Sequence, residues 1–207
     1  MSLKIFTGLP GSGKTSALID EMLRRKETGE TVLLILSSEH ESLTNRPNVK
    51  AGGLMGCRDK DKSYPIDAVM SSSEAGAFVA AQEPGTMVVF DEAQYFQPEL
   101  VQSWRIASER GVDILVGTPS QHQLELLTDI PHEPVHIEVQ CSCGQMPATQ
   151  VLYEEDLTYP KHLCSDCYTK RRSDAIASLL ADVKGSDPFP NELHTYQPFY
   201  GLDMKGW

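Results

Sequence analysis

The sequence has no run of about 18 apolar residues, the length that a transmembrane helix requires, and it has no internal repeats. It also opens without the basic stretch and long apolar segment of a signal peptide, so we expect a cytoplasmic protein with no membrane contact. Basic residues are in the minority: 18 Lys and Arg stand against 29 Asp and Glu, a net charge of −11. Because a general duplex-DNA binder needs a basic face, we expect no duplex nucleic acid among the partners. A local basic cleft that faces a phosphate remains compatible with this charge.

The composition predicts a folded protein with a sizeable core. Of the 207 residues, 40% are hydrophobic and 23% are charged, which excludes wholesale disorder. Apolar runs predict strands over 3–7, 31–36, 87–90, 112–116 and 135–139, and periodic apolar positions predict helices over 14–27, 74–82, 98–110 and 173–183. This alternation predicts βαβ units and a mainly parallel sheet flanked by helices, the α/β class. Residues 37–65 are polar and predict no firm element.

Apolar positions on two of these helices predict which side chains share a face. On the helix over 14–27 the buried stripe is predicted to be Ala17, Leu18, Met22 and Leu23. On the helix over 173–183 the apolar side chains that share one side are Ala175, Ile176, Leu179 and Leu180.

Residues 8–15 (GLPGSGKT) match the pattern G-x-x-x-x-G-K-[ST] at every fixed position, between a predicted strand and a predicted helix. Glycines let backbone N–H groups close around a phosphate, and the helix N-terminus adds partial positive charge. In such a P-loop the lysine reaches the β- and γ-phosphates and the Ser/Thr hydroxyl ligates Mg²⁺. The predicted ATP contacts are therefore Gly8, Gly11, Ser12, Gly13, Lys14 and Thr15. The alternative is an ordinary glycine turn.

Two acidic residues follow the buried strand Met-Val-Val-Phe. Such a strand delivers Asp91 to the carboxyl edge of the sheet, beside the phosphate loop, where it can hold Mg²⁺ together with Thr15. Glu92 is then placed to take a proton from the group that attacks the γ-phosphate, which makes Glu92 and Lys14 the predicted catalytic residues. A solvated pair of strand-end acids is the alternative. If the acceptor is water the protein is an ATPase, and if it is a substrate hydroxyl the protein is a kinase.

Four of the five cysteines form two close pairs, Cys141 with Cys143 and Cys164 with Cys167. In a reducing compartment this spacing favours a structural Zn²⁺ held by four thiolates, with unpaired buried thiols or a redox pair as the alternatives. Cys57 stands apart and is interpreted as a free, inert thiol. The predicted organisation is a P-loop domain over 1–139, a small zinc-stapled lobe over 140–172, and a C-terminal helix and tail over 173–207.

The order of these motifs resembles the thymidine kinase family that carries a zinc-stapled lasso. The phosphate loop lies near the N-terminus, and residues 91–96 (DEAQYF) look like the family signature D-E-x-Q-F-F. A turn over 117–122 (GTPSQH) follows the next strand, and Tyr159 precedes the second cysteine pair, as in the family. The resemblance covers roughly residues 3–172.

The resemblance implies ATP-dependent transfer of a phosphoryl group to the 5′-hydroxyl of thymidine or deoxyuridine, a reaction that serves DNA synthesis. It makes Glu92 the base, places Tyr95, His122 and Tyr159 at the nucleoside, and makes residues 144–163 the lasso. It also implies a homo-oligomer. The sequence departs from the family in the nucleoside pocket, where Pro10 replaces a frequent methionine and His122 falls near a usual phenylalanine. The alternative function is therefore a P-loop ATPase or nucleotide-dependent interaction protein with a thymidine-kinase-like core.

Overall fold

A computed structural model of the protein describes residues 2–40, 50–57, 62–119, 130–153 and 160–185. The chain forms two compact units, Met1–Ser165 and Asp166–Trp207. The boundaries that the sequence predicts, at 139 and 172, stay a prediction. His122 and Tyr159, predicted at the nucleoside, lie outside the described residues.

The described part of the chain is built from alternating strands and helices. The strands are β1 (Leu3–Thr7), β2 (Val32–Ser37), β3 (Leu54–Gly56), β4 (Ser63–Pro65), β5 (Ala68–Met70), β6 (Met87–Phe90), β7 (Asp113–Gly117), β8 (Glu133–His136), β9 (Gln150–Leu152) and β10 (Lys161–Leu163). The helices are α1 (Lys14–Glu27), α2 (Ser72–Ala80), α3 (Leu100–Glu109) and α4 (Ser165–Gly185), with a short 3₁₀ turn over Ala93–Tyr95.

Six strands form one sheet in the order β5-β2-β6-β7-β1-β8, and all neighbouring pairs are parallel. The central strands β6 and β7 are buried on both faces, and every one of their residues is buried, as their mainly apolar sequences require. Parallel strands place their carboxyl ends at one edge, so the residues after β1, β2, β6 and β7 meet there. The predicted α/β class with a parallel sheet flanked by helices is confirmed.

Helices cover both faces of the sheet. One face packs against α2 and α3, where Trp104 is 1% exposed and Phe90 makes an edge-to-face contact with Phe96, their ring centroids 5.4 Å apart. The other face packs against α1 and the β3–β4 hairpin, whose Met55 and Tyr64 are buried in that cluster. The two layers hold the sheet from both sides and leave its carboxyl edge to the connecting loops.

The predicted helix over 14–27 and strand over 87–90 have the predicted bounds. The buried stripe of α1 differs by one position, because Ile19 is buried while Leu23 is 39% exposed. The sequence pattern placed no firm element in 37–65, but the structure has one there. The hairpin β3–β4 lies there, and it is held by tertiary contact with α1 rather than by a local pattern.

The last predicted strand and helix begin earlier than the sequence suggests. The strand is Glu133–His136 rather than 135–139, and β1 sets this register by pairing Ile5 with Pro134. The helix is Ser165–Gly185 rather than 173–183, and its apolar residues Ile176, Leu179 and Leu180 lie at exposed positions. No described helix combines the length and the apolar character that a membrane crossing needs.

Candidate functional site

The glycine-rich loop between β1 and α1 is shaped by close backbone contacts. At Gly8 the backbone has φ 150°, and a Cβ there would lie 2.6 Å from the Ile137 carbonyl oxygen and 2.7 Å from Ser12 Oγ. Gly13, the residue that precedes α1, has φ 101°, a left-handed conformation that favours glycine. The loop therefore turns into the helix within one residue, and the N–H groups of the first helical turn face it.

Lys14 is the first residue of α1, and its side chain folds back onto the loop. Its ammonium donates to the carbonyl oxygens of Gly8 and Leu9, each at 2.9 Å, and the residue is only 9% exposed. Burial lowers the pKa of Lys14, while the carboxylates of Glu92 and Asp91 act in the opposite direction. The lysine and the two acids therefore lie close enough to influence one another's charge.

Asp91, at the carboxyl end of β6, is joined directly to the loop. Thr15 Oγ1 donates to Asp91 Oδ2 at 2.8 Å, although the two residues are far apart in the sequence. Asp91 is 4% exposed, and burial raises the pKa of its carboxyl from 3.8 to about 6, with a smaller contribution from the neighbouring charge of Glu92. A buried carboxylate and a hydroxyl at this separation can ligate one cation together.

Gly117, the last residue of β7, makes room for this carboxylate. A Cβ on Gly117 would lie 2.7 Å from Asp91 Oδ1 and 2.5 Å from Leu18 Cδ1. The strand between β6 and β1 must therefore end in a residue without a side chain if Asp91 is to reach Thr15. In the sequence this glycine stands out only as part of the turn over 117–122, because nothing local reveals which side chain lies against it.

Glu92 adopts an unusual backbone conformation next to Asp91. Its φ of 53° and ψ of 42° make it the one non-glycine residue with positive φ among those that the structure describes. A non-glycine residue in this left-handed conformation destabilises the folded chain by about 1 kcal/mol or more. Such residues cluster at functional sites, which supports a functional role for Glu92. The half-buried carboxylate accepts a 2.6 Å hydrogen bond from Gln94 Nε2.

Gln94 stands out in the sequence only as part of the signature D-E-x-Q-F-F, whereas in the structure it contacts the Glu92 carboxylate. A carboxylate can only accept, so the Gln94 amide nitrogen must face Glu92. Its Oε1 is then one of the buried side-chain atoms without a hydrogen-bond partner in the described structure. Gln94 therefore fixes the orientation of the Glu92 carboxylate.

Tyr95 lies beside the acids and is half-buried. Its ring stacks on the ring of His40, with centroids 4.3 Å apart, and its carbonyl oxygen accepts a 2.8 Å hydrogen bond from Ser37 Oγ. Ser37 is the last residue of β2 and His40 lies shortly after it, so both are at the carboxyl edge of the sheet. Sequence reasoning missed His40, since a single histidine after a strand carries no signal of its own.

The four predicted zinc ligands come together. The sulfur atoms of Cys141, Cys143, Cys164 and Cys167 all lie within 4.8 Å of one another. Four sulfurs around one Zn²⁺ at the usual bond length are about 3.8 Å apart, so this cluster fits a tetrahedral metal ion with little adjustment. The backbone N–H of Cys143 donates to Cys141 Sγ at 3.5 Å, and this hydrogen bond is the main cause that lowers the pKa of Cys141 to about 6.

A lowered thiol pKa favours the thiolate, which is the form that binds metal. The cluster could therefore hold a metal ion such as zinc, and its four protein ligands leave no open position for a reacting water. Cys57 lies outside the cluster, partly buried, and its thiol contacts the Lys62 carbonyl oxygen at 3.7 Å.

Comparison with known proteins identifies no family for this chain, because neither a protein-family model nor a curated protein sequence matches it.

Proposed function

We propose that the protein is an ATP-dependent nucleoside kinase that resembles the thymidine kinases and phosphorylates the 5′-hydroxyl of thymidine or deoxyuridine. The observation on which this proposal rests is the 2.8 Å hydrogen bond from Thr15 to Asp91. It joins the loop that would hold the phosphates to the carboxylate that would help to hold Mg²⁺. A glycine turn that only connects a strand to a helix does not require a hydrogen bond to a buried acid, so this contact favours the functional interpretation.

The loop supplies what a triphosphate requires. Lys14 brings a positive charge that can move from the loop carbonyls to the β- and γ-phosphates, and the N-terminus of α1 favours anions. Ser12 Oγ is buried and has no hydrogen-bond partner in the described structure, which suits a loop that closes on a ligand. Thr15 and Asp91 would hold Mg²⁺, which when bound neutralises charge on the phosphate oxygens.

Glu92 is the proposed general base. Its carboxylate is held by Gln94 and lies close enough to Asp91 and Lys14 to shift their pKa values, so we assign it the proton of the attacking 5′-hydroxyl. As the hydroxyl oxygen bonds to the γ-phosphorus, the bond to the β-phosphate oxygen breaks and ADP leaves. The Lys14 charge stabilises the negative charge on these oxygens during transfer.

The stacked pair of Tyr95 and His40 favours a nucleoside over water as the acceptor. An aromatic surface at the carboxyl edge of the sheet suits a planar base, and hydrolysis alone would not need one. The same proposal includes a structural zinc ion in the cysteine lobe, a cytoplasmic location and a homo-oligomer. Duplex nucleic acid is not among the proposed partners, in keeping with the net charge of −11.

The test is an ATP-consumption assay of the wild-type protein with no nucleoside, with thymidine and with deoxyuridine. We expect slow consumption without nucleoside, strong stimulation by one of the two, and a nucleoside monophosphate as product. Lys14→Ala should abolish the stimulated rate while leaving the fold intact, because the transferring phosphoryl group loses its charge stabilisation. Robust basal hydrolysis with no nucleoside effect would show an ATPase instead.

A further inference from the structure

The cysteine lobe touches the phosphate loop through one histidine. His162 lies in β10, two positions before Cys164, and its Nε2 is 2.9 Å from the carbonyl oxygen of Pro10. A carbonyl oxygen can only accept, so Nε2 carries the hydrogen and donates it. Pro10 is inside the G-x-x-x-x-G-K-T loop, close to the backbone that would surround a phosphate.

The position of His162 is set by the cysteine lobe itself. The carbonyl oxygen of His162 accepts a 3.1 Å hydrogen bond from the backbone N–H of Ser142, the residue between Cys141 and Cys143. In addition, His162 pairs with Val151 across the two-stranded sheet of β9 and β10. The backbone of the histidine is therefore fixed between the two cysteine pairs, and its ring projects to the loop.

A second contact runs from the loop to the segment that enters the lobe. The backbone N–H of Ile137 donates to the Thr7 carbonyl oxygen at 2.8 Å, and the Ile137 carbonyl oxygen is the atom that crowds Gly8. From Ile137 the chain continues to Cys141, whose sulfur belongs to the cluster. The segment that leads into the lobe thus contacts the loop at Gly8, and the lobe itself contacts it at the Pro10 carbonyl oxygen.

We propose that His162 is a positioning residue that couples metal binding in the cysteine cluster to nucleotide binding at the phosphate loop. With a metal ion in place the lobe is rigid, and His162 holds the loop in the conformation that accepts phosphate. Coupling of this kind is reciprocal, so bound nucleotide raises the affinity of the cluster for zinc by the same factor by which zinc raises the affinity for nucleotide. The proposal rests on the proposed function only in that the loop binds a nucleotide.

The experiment measures the zinc affinity of the full-length zinc-loaded protein by competition with a chromogenic chelator, with and without saturating ADP. In the wild type we expect ADP to raise the zinc affinity about fivefold, the order that one net hydrogen bond supplies. In His162→Phe the ring volume is kept and the donor is lost, so this increase should disappear. His162→Gln carries an amide donor near the position of Nε2 and should restore it.

Two further variants separate the coupling from general damage to the lobe. Thr149→Val removes a 3.1 Å hydroxyl contact to Ser165 within the lobe, away from the loop, and should keep the fivefold effect. Lys14→Ala should lose the effect because ADP no longer binds. If the phenylalanine variant fails to hold zinc, His162→Asn replaces it, since its shorter side chain keeps a polar amide but cannot reach Pro10.

The possible failures are distinguishable. A fluorescent ADP analogue reports binding independently, and a wild-type protein that binds no ADP would overturn the proposed function and this coupling together. A wild type that binds both ligands without any effect of ADP on zinc affinity would overturn the coupling alone. An ADP effect that stays equally large in the phenylalanine or asparagine variant would show that another contact carries it, and His162 would lose its role.

Discussion

Glu92 combines an unfavourable backbone with a proposed chemical task. Its left-handed conformation turns the chain sharply at the end of β6, so that the side chain leaves the strand in a different direction from Asp91. Gln94 then holds the carboxylate from two residues further along. The local cost of this backbone is tolerated where an acid must reach a substrate.

Glu92→Gln tests that task at the level of one atom. The amide keeps the size of the side chain but cannot accept the proton, so turnover should fall by about 10² to 10⁴-fold, the usual worth of a general base. ATP binding should persist because Lys14, Thr15 and Asp91 remain. The measurement is nucleoside-stimulated ATP consumption beside the affinity for a fluorescent ATP analogue. Unchanged turnover would remove Glu92 from the mechanism.

Asp91 is expected to reduce the stability of the protein at neutral pH. Its folded-state pKa is raised from 3.8 to about 6. Between these values the native state holds a proton that the unfolded chain has released, so the free energy of unfolding falls as the pH rises through this window. Above pH 6 a cost of about 3 kcal/mol remains in full.

Asp91→Asn removes that cost and keeps an acceptor for the Thr15 hydroxyl. In buffer without Mg²⁺ and nucleotide, the variant should be more stable than the wild type at pH 7.5, by up to about 3 kcal/mol, and equal to it below pH 4. Urea denaturation at both pH values measures the difference, and Glu109→Gln, an exposed acid at the end of α3, is the control. An asparagine variant that gains no stability at pH 7.5 would contradict the buried-charge explanation.

The sequence indicated which site residues lie together where a motif or a strand end marks them, while their chemical roles stay predictions. The roles assigned to Lys14, Thr15 and Asp91 come from a short motif and a strand end, and the structure brings these residues together. His40 and His162 could not be found in this way. Each gains its meaning from a partner distant in the sequence, and a single polar residue carries no sign of that partner.

At the scale of secondary-structure elements, β7 determines whether the site can assemble. It lies between β6 and β1, and its final residue, Gly117, leaves the space that Asp91 occupies. A side chain at position 117 would push the Asp91 carboxylate away from the glycine-rich loop.

Gly117→Ala should therefore destabilise the protein and weaken nucleotide binding together. The added methyl group would press on Leu18 and on the Asp91 carboxylate, and overpacking of a buried contact costs about 1–3 kcal/mol. Gly56→Ala is the matched control, because a Cβ on this strand glycine meets no atom within 4 Å. Urea midpoints and the affinity for an ADP analogue report the two effects. Equal stability of the two variants would refute the close packing at β7.

Elements with a complete local pattern were predicted with their correct bounds. The helix α1 follows a glycine turn and the strand β6 is an unbroken apolar run, so both are specified by their own residues. The strands β3 and β4 have three residues each and lack such a pattern. They depend on Tyr64 and Met55, which are buried against α1, a contact that no short window of sequence contains.

At the scale of the whole molecule, the sheet and the cysteine lobe differ in what stabilises them. The central strands β6 and β7 are buried throughout, whereas residues 142–147 of the lobe are exposed and contribute little apolar packing. We therefore expect the lobe to depend on a metal ion bound by its four cysteines, because metal binding supplies local folding energy.

Removal of zinc should loosen the lobe and leave the sheet intact. After chelation, amide hydrogen exchange should accelerate in 141–153 and 160–165 while β1, β6 and β7 stay protected. Cys143→Ser should have the same effect without chelator and should contain less than one zinc per chain, whereas Cys57→Ser, outside the cluster, should keep its metal. A lobe that stays protected in chelator, or native protein without zinc, would exclude a structural metal.

The strand order also determines when the protein can first function during its synthesis. The glycine-rich loop follows β1 and the two acids follow β6, and these strands never pair with each other, because β7 lies between them. A nascent chain that ends before Asp113 has both strands but lacks the one that joins them. It leaves one edge of β6 and both edges of β1 without a partner, a state prone to misassociation. The candidate site can form only once β7 has been synthesised, so ligand binding cannot assist the earliest steps of folding.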